Sequence, residues 1–96
     1  MISQADILRA KILIVDDMKA NVALLDKILT GAGYSCVAST TNPRAVRGLH
    51  LANGYDLILL DLSMPGMNGF ELMDSLKEIE AGGYLPVLVL TAQPNQ

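Results

Sequence analysis

Residues 12–17, Ile-Leu-Ile-Val-Asp-Asp, and residues 57–61, Leu-Ile-Leu-Leu-Asp, decide how this chain folds. Each is a short aliphatic run without polar alternation, and each stops abruptly at aspartate. Such runs are typical of strands buried on both faces, as in a parallel sheet covered by helices. Because parallel strands require crossover connections, helices are expected between them.

Apolar residues at helical spacing follow these strands and predict the crossover helices. The chain should alternate strand and helix, ending on a fourth strand, with every strand parallel and every crossover right-handed. This predicts an α/β fold, an open doubly wound parallel sheet, in one domain over residues 1–96. The predicted strands are residues 12–15, 35–38, 57–60 and 87–90, and the predicted helices are residues 18–29, 42–51 and 70–80.

Local signals mark several helix ends. Asp17 is expected to cap the first helix, and Asn42 followed by Pro43 is expected to open the second. Gly54 should end that helix. Cys36, the single cysteine, is expected to be a small core residue, and His50 to be solvated or half-buried.

Composition limits the possible functions. The net charge of −3, with scattered basic residues, argues against nucleic-acid binding by this chain. No apolar stretch approaches the roughly 20 residues that span a bilayer, and the first ten residues lack the pattern of a signal peptide. The chain is therefore expected to be soluble and cytoplasmic, with no membrane partner.

Polar residues follow three of the predicted strands at the point where each ends. Asp16 and Asp17 follow the first strand, Asp61 the third and Thr91 the fourth. The carboxyl ends of the strands form the ligand-binding edge of such a sheet. Clustered carboxylates repel each other, and oxygen donors of this kind suit Mg²⁺ beside a phosphoryl group. The alternative is that each aspartate is only a helix cap or turn residue.

Three motifs in order resemble the receiver domain of response regulators in two-component signalling. They are Ile-Leu-Ile-Val-Asp-Asp at residues 12–17, Tyr-Asp-Leu-Ile-Leu-Leu-Asp-Leu-Ser-Met-Pro-Gly-Met-Asn-Gly at 55–69, and Pro-Val-Leu-Val-Leu-Thr-Ala at 86–92. The resemblance covers residues 11–92. It implies a flavodoxin-like receiver topology with strand order 2-1-3-4.

The resemblance also implies roles for residues of the site. Asp61 would accept a phosphoryl group from a sensor histidine kinase or phosphotransfer protein, and Asp16 and Asp17 would hold Mg²⁺ with Asp61. The backbone carbonyl of Ser63 would bind the metal, and the hydroxyl of Thr91 would donate a hydrogen bond to a phosphoryl oxygen. The side chains of Ser63 and Gln93 would tune the lifetime of the phosphoryl group. Pro65 and Gly69 would shape the loop after the third strand. The module would not be an enzyme, and it would relay the signal to an output domain or partner outside this chain.

The sequence departs from the family pattern after the fourth strand. The family has a fifth strand, helices four and five, and a lysine that contacts the phosphoryl group, whereas the last lysine here is Lys77. The domain is therefore expected to be C-terminally incomplete. We expect the exposed edge of the fourth strand, Val87–Leu90, to promote self-association.

Two other functions stay open from the sequence. One is a pseudo-receiver, which would act as an interaction module without phosphorylation. The other is a haloacid-dehalogenase-like phosphatase, which also uses an aspartate nucleophile after a strand. That class needs a second aspartate two residues later, where this chain has Ser63.

Overall fold

Strands and helices alternate along the chain, and the computed structural model describes residues 3–61, 69–79 and 87–90. A short 3₁₀ turn, Pro43–Ala45, precedes the third helix. The elements are α1 (Gln4–Leu8), β1 (Lys11–Val15), α2 (Lys19–Gly31), β2 (Cys36–Thr40), α3 (Val46–Asn53), β3 (Leu57–Asp61), α4 (Gly69–Ile79) and β4 (Val87–Leu90).

The four strands of the described residues form one sheet in the order β2-β1-β3-β4, and every neighbouring pair is parallel. The register places Val15 of β1 beside Thr40 of β2 and Leu60 of β3. The predicted α/β class and the predicted strand order are therefore confirmed.

The residues of β1 alternate between two hydrophobic clusters on opposite faces of the sheet. Leu13 and Val15 belong to the cluster that α3 and α4 cover, whereas Ile12 and Ile14 belong to the cluster that α2 covers. All four side chains are almost completely buried. This two-sided burial explains why the strand is continuously apolar, and it confirms the doubly wound arrangement.

The second predicted helix begins and ends where its sequence signals indicate. The Asn42 side chain accepts a hydrogen bond from the backbone N–H of Arg44, at 3.0 Å. Gly54 follows α3 with a φ of 64°, a left-handed conformation that glycine adopts without steric cost.

Helix α1 was not predicted from the sequence. Ser3 and Asp6 form a reciprocal capping box at its start. The carbonyl oxygen of Leu8 then accepts a hydrogen bond from the backbone N–H of Ser35, at 3.2 Å. This contact holds the N-terminal segment against the chain just before β2.

The predicted environments of Cys36 and His50 were wrong. Cys36 is exposed, because it lies on the edge strand β2, whose side chains are exposed or half-buried. His50 is only 5% exposed, because its ring lies against the ring of Tyr55 and accepts a hydrogen bond from the Tyr55 backbone.

Strand β4 has β3 on one side, and no other described strand pairs with its second edge. The side chains of residues 88–90 lie outside the described part, so self-association through β4 stays a prediction. Within the described residues, no helix is both long enough and apolar enough to cross a bilayer.

Candidate metal and phosphoryl site

The carboxyl ends of β1 and β3 bring three aspartates together. Asp16 and Asp17 directly follow β1, and Asp61 is the last residue of β3. Because Val15 pairs with Leu60, the residues that follow them, Asp16 and Asp61, are neighbours. Carboxylate oxygens of the three side chains lie within 4.8 Å of one another. The three aspartates therefore lie together, whereas Thr91, the fourth residue expected at this edge, is outside the described residues.

Burial differs among the three aspartates. Asp16 is 5% exposed and Asp61 is 6% exposed, whereas Asp17 is exposed to solvent. Two largely buried carboxylates side by side repel each other when both are ionised, because little water screens their charges. A bound cation would convert this unfavourable arrangement into a favourable one.

Backbone contacts fix the position of Asp16. Its side-chain Oδ1 accepts a hydrogen bond from the backbone N–H of Met18 at 2.9 Å, and its own N–H donates to the carbonyl oxygen of Thr40 at 3.3 Å. Asp16 is therefore held by hydrogen bonds to the start of α2 and to the end of β2. Only one of its carboxylate oxygens is used by this turn.

The prediction that Asp17 caps α2 was wrong. The N-cap position of α2 is Met18, and no side chain makes a capping hydrogen bond there. The Asp16 side chain closes the turn two residues earlier instead. Consequently the Asp17 carboxylate lies with the acidic cluster and does not bond the helix terminus. Aspartate side chains often accept a hydrogen bond from the backbone N–H two residues later, and this turn signal could have indicated Asp16 as the residue that closes the turn.

The donor set of this cluster fits Mg²⁺. All three groups offer carboxylate oxygens, which are the ligands that this hard cation prefers. Two oxygens bound directly to one Mg²⁺ lie at most about 4.2 Å apart, and the ion usually keeps several waters. Carboxylate oxygens within 4.8 Å of one another are close enough that Asp16, Asp17 and Asp61 would hold such an ion together, directly or through its waters.

The remaining predicted site residues are placed only in part. Ser63, Pro65, Thr91 and Gln93 lie outside the described residues. Gly69 is the first residue of α4, as expected for the end of the loop. Leu90 pairs with Asp61 in the sheet, so β4 ends at the same edge as the aspartates, directly before Thr91 in the sequence.

Comparison with known proteins agrees with this geometry. The model of the response regulator receiver domain family matches residues 12–96. Response regulator PleD of Caulobacter vibrioides is 40% identical over 83 residues, which are 86% of this chain and 18% of that protein. Hybrid signal transduction histidine kinase I of Dictyostelium discoideum is 31% identical over 97 residues, covering 95% of this chain and 6% of the kinase. This chain thus spans a small part of these relatives.

Solved structures show the same fold. The chemotaxis response regulator CheY4 of Vibrio cholerae superposes with a TM-score of 0.79 at 29% sequence identity, over 91% of this chain and 72% of that one. The family match, the relatives and the shared fold all indicate the same family. The chain belongs to the response regulator receiver domain family.

Proposed function

We propose that this receiver domain accepts a phosphoryl group on Asp61. The observation that carries the proposal is the position of Asp61, which is 6% exposed at the end of β3 and has a carboxylate oxygen within 4.8 Å of those of Asp16 and Asp17. Asp61 is at the carboxyl end of its strand, the edge at which open α/β sheets bind their ligands. The neighbouring carboxylates can hold the cation that phosphoryl transfer requires.

In the proposed reaction, an Asp61 oxygen attacks phosphorus in line with the leaving nitrogen of a phosphohistidine. The P–N bond breaks, an acyl phosphate forms on Asp61, and the imidazole leaves on the donor protein. Mg²⁺, when bound by Asp16 and Asp17 together with Asp61, supplies positive charge to the phosphoryl oxygens. We further propose the Ser63 backbone carbonyl as a metal ligand and the Thr91 hydroxyl as a phosphoryl hydrogen-bond donor, following the family pattern.

The proposed donor is a sensor histidine kinase or a phosphotransfer protein. Support comes from the relatives, since a domain similar to this chain occurs within a hybrid signal transduction histidine kinase. The domain would take the phosphoryl group once per signal and pass the change to an output domain or partner, so we propose a phosphoprotein rather than an enzyme. A cytoplasmic location stays a prediction.

Phosphoryl labelling tests the proposal. The protein would be incubated with acetyl phosphate and Mg²⁺ and its intact mass measured, and the modified residue would be mapped after borohydride reduction. We expect one added phosphoryl group, on Asp61. An adduct on Asp56 or Ser63 would contradict the assignment.

A pseudo-receiver is the second candidate function. It would keep the receiver fold described above and act as an interaction module without phosphorylation. Failure of labelling by both acetyl phosphate and phosphoramidate would support this alternative, provided that the protein is folded under the same conditions.

Magnesium is expected to stabilise the protein. The ion can bind the assembled carboxylates of the folded state but not the dispersed aspartates of the unfolded chain. At a hundred times the dissociation constant, the gain in the free energy of unfolding would be about 2.7 kcal/mol. Thermal melts with and without millimolar Mg²⁺ measure it.

Asp17→Asn and Asp74→Asn provide a matched pair for this measurement. Asp17 belongs to the acidic cluster, whereas Asp74 is an exposed aspartate on α4. We expect the first substitution to reduce the Mg²⁺-dependent shift in melting temperature and the second to leave it unchanged. Equal shifts in both variants would show that the ion binds elsewhere.

A further inference from the structure

The outer edge of β2 has the properties of a pairing surface. Strand β2 lies at the end of the sheet, and no other described strand pairs with its second side. Residues 34–42 contain neither a charged residue nor a proline. Charged residues and prolines are the features that usually protect an edge strand from pairing with another chain. This edge is therefore unprotected by its own sequence.

The backbone direction shows which groups this edge offers. The carbonyl oxygen of Thr40 accepts a hydrogen bond from the Asp16 N–H, so the backbone groups of Thr40 point towards β1. Because the backbone N–H and C=O groups of successive residues point to opposite sides of a strand, those of Val37 and Ser39 point to the outer side of β2, away from β1. No hydrogen bond from the described residues reaches the outward N–H and C=O groups of Val37 and Ser39.

A polar groove runs beside this edge, between α2 and β2, with a volume of about 530 Å³. Lys19 and Asp26 lie seven residues apart, which is about two helical turns, so they share one side of α2. The groove thus carries a positive charge towards one end and a negative charge towards the other. Its lining residues are Lys19, Val22, Ala23, Asp26, Ser39, Thr40 and Thr41.

We propose that the outer edge of β2 pairs antiparallel with β2 of a second copy of this chain, about a two-fold axis at Ala38. Val37 of each copy then lies opposite Ser39 of the other, and each such pair exchanges two backbone hydrogen bonds. The result is a continuous sheet that joins the four described strands of each copy. Closed two-fold dimers are the commonest form of oligomer, and they require a surface that is complementary to itself.

The charges of the groove identify a second copy as the occupant. An antiparallel two-fold arrangement places the α2 helices on the same face of the joined sheet, running in opposite directions. Lys19 of one copy then faces Asp26 of the other, and the same contact is repeated by symmetry. The uncharged strand between them brings no like charges together.

Disulfide formation tests the two-fold axis directly. Ala38 is exposed and would lie opposite its own copy in a non-hydrogen-bonded pair. The Cα atoms of such a pair are about 4.5 Å apart, within the range of a disulfide. In the Cys36→Ser background, we expect Ala38→Cys to form disulfide-linked dimers about tenfold faster or more than Gly48→Cys, because pairing raises the local thiol concentration.

Gly48 provides the matched control because it is exposed on α3, with open space around the position of an added side chain. A second variant fixes the register. With Cys36 retained, Thr40→Cys should give a disulfide between position 36 of one copy and position 40 of the other. Within one strand these positions are about 13 Å apart, so an intrachain disulfide cannot form.

Charge reversal tests the groove contacts by sedimentation or light scattering. We expect Lys19→Glu to raise the dimer dissociation constant about tenfold and Lys19→Glu with Asp26→Lys to restore it.

Two results would overturn the proposal. One is equal cross-linking of the position 38 and position 48 variants; the other is a dimer by light scattering that does not cross-link at position 38, which would assign association to another surface such as the β4 edge.

Discussion

Asp61→Asn is expected to abolish phosphoryl labelling and, in metal-free buffer, to stabilise the folded protein. The amide keeps the shape of the side chain but removes the nucleophilic carboxylate oxygen. It also removes one of three negative charges whose oxygens lie within 4.8 Å of one another. The two effects have opposite consequences, loss of the reaction and gain of stability, which a general folding defect would not produce.

The expected gain in stability follows from the buried pair. At about 4.8 Å and an effective dielectric constant of 20, two like charges cost roughly 3–4 kcal/mol. Asp17 is exposed, so water screens its share strongly. We expect the free energy of unfolding in metal-free buffer to rise by about 1–3 kcal/mol, mainly from relief of the Asp16–Asp61 repulsion.

Urea denaturation in EDTA and in Mg²⁺ separates the contributions. The wild-type protein should gain stability on adding Mg²⁺, and Asp61→Asn should gain much less, so that the advantage of the variant shrinks or reverses. Asp74→Asn, on the exposed side of α4, is the control and should change the free energy of unfolding by less than about 0.5 kcal/mol. Labelling that persists in Asp61→Asn, or a loss of stability in EDTA, would contradict the proposed site.

Much of the fold could be predicted because its central strands are buried on both faces. Residues 12–15 and 57–60 have to be apolar at every position, which makes a local pattern that is visible in the sequence. The meeting of the three aspartates follows from the same fact, since parallel strands end at one edge of the sheet. For this part of the site, topology alone determines proximity.

The errors concern residues whose environment depends on contacts distant in sequence or on competing local turns. Cys36 is apolar enough for the core, and the local sequence of β2 does not distinguish an edge strand from a central one; only the strand order implied by the family resemblance places β2 at the edge. Asp16 and Asp17 are adjacent acidic residues, and either could bond the turn before α2. The short helix α1 has a capping box but only five residues, too few for a clear periodic pattern.

His50 is the clearest case of a residue whose role depends on tertiary contacts. Its Nδ1 atom accepts a hydrogen bond from the backbone N–H of Tyr55 at 3.1 Å, and the two rings are stacked with an interplanar angle of 16°. Tyr55 is 8% exposed, so its N–H lies in a buried setting where an unpaired donor is costly. The contact joins the end of α3 to the segment that enters β3.

His50→Ala is therefore expected to lower the free energy of unfolding by about 2–4 kcal/mol, from the unpaired Tyr55 N–H and the lost ring contact. His50→Asn should lose less, because an asparagine oxygen can replace Nδ1 as acceptor. Leu51→Ala, at a 59% exposed position on the same helix, is the control and should change stability by less than about 0.5 kcal/mol. Urea denaturation measures all three. Equal losses for His50→Ala and His50→Asn would show that the hydrogen bond contributes little, and a His50→Ala loss no larger than that of Leu51→Ala would refute the structural role of this histidine.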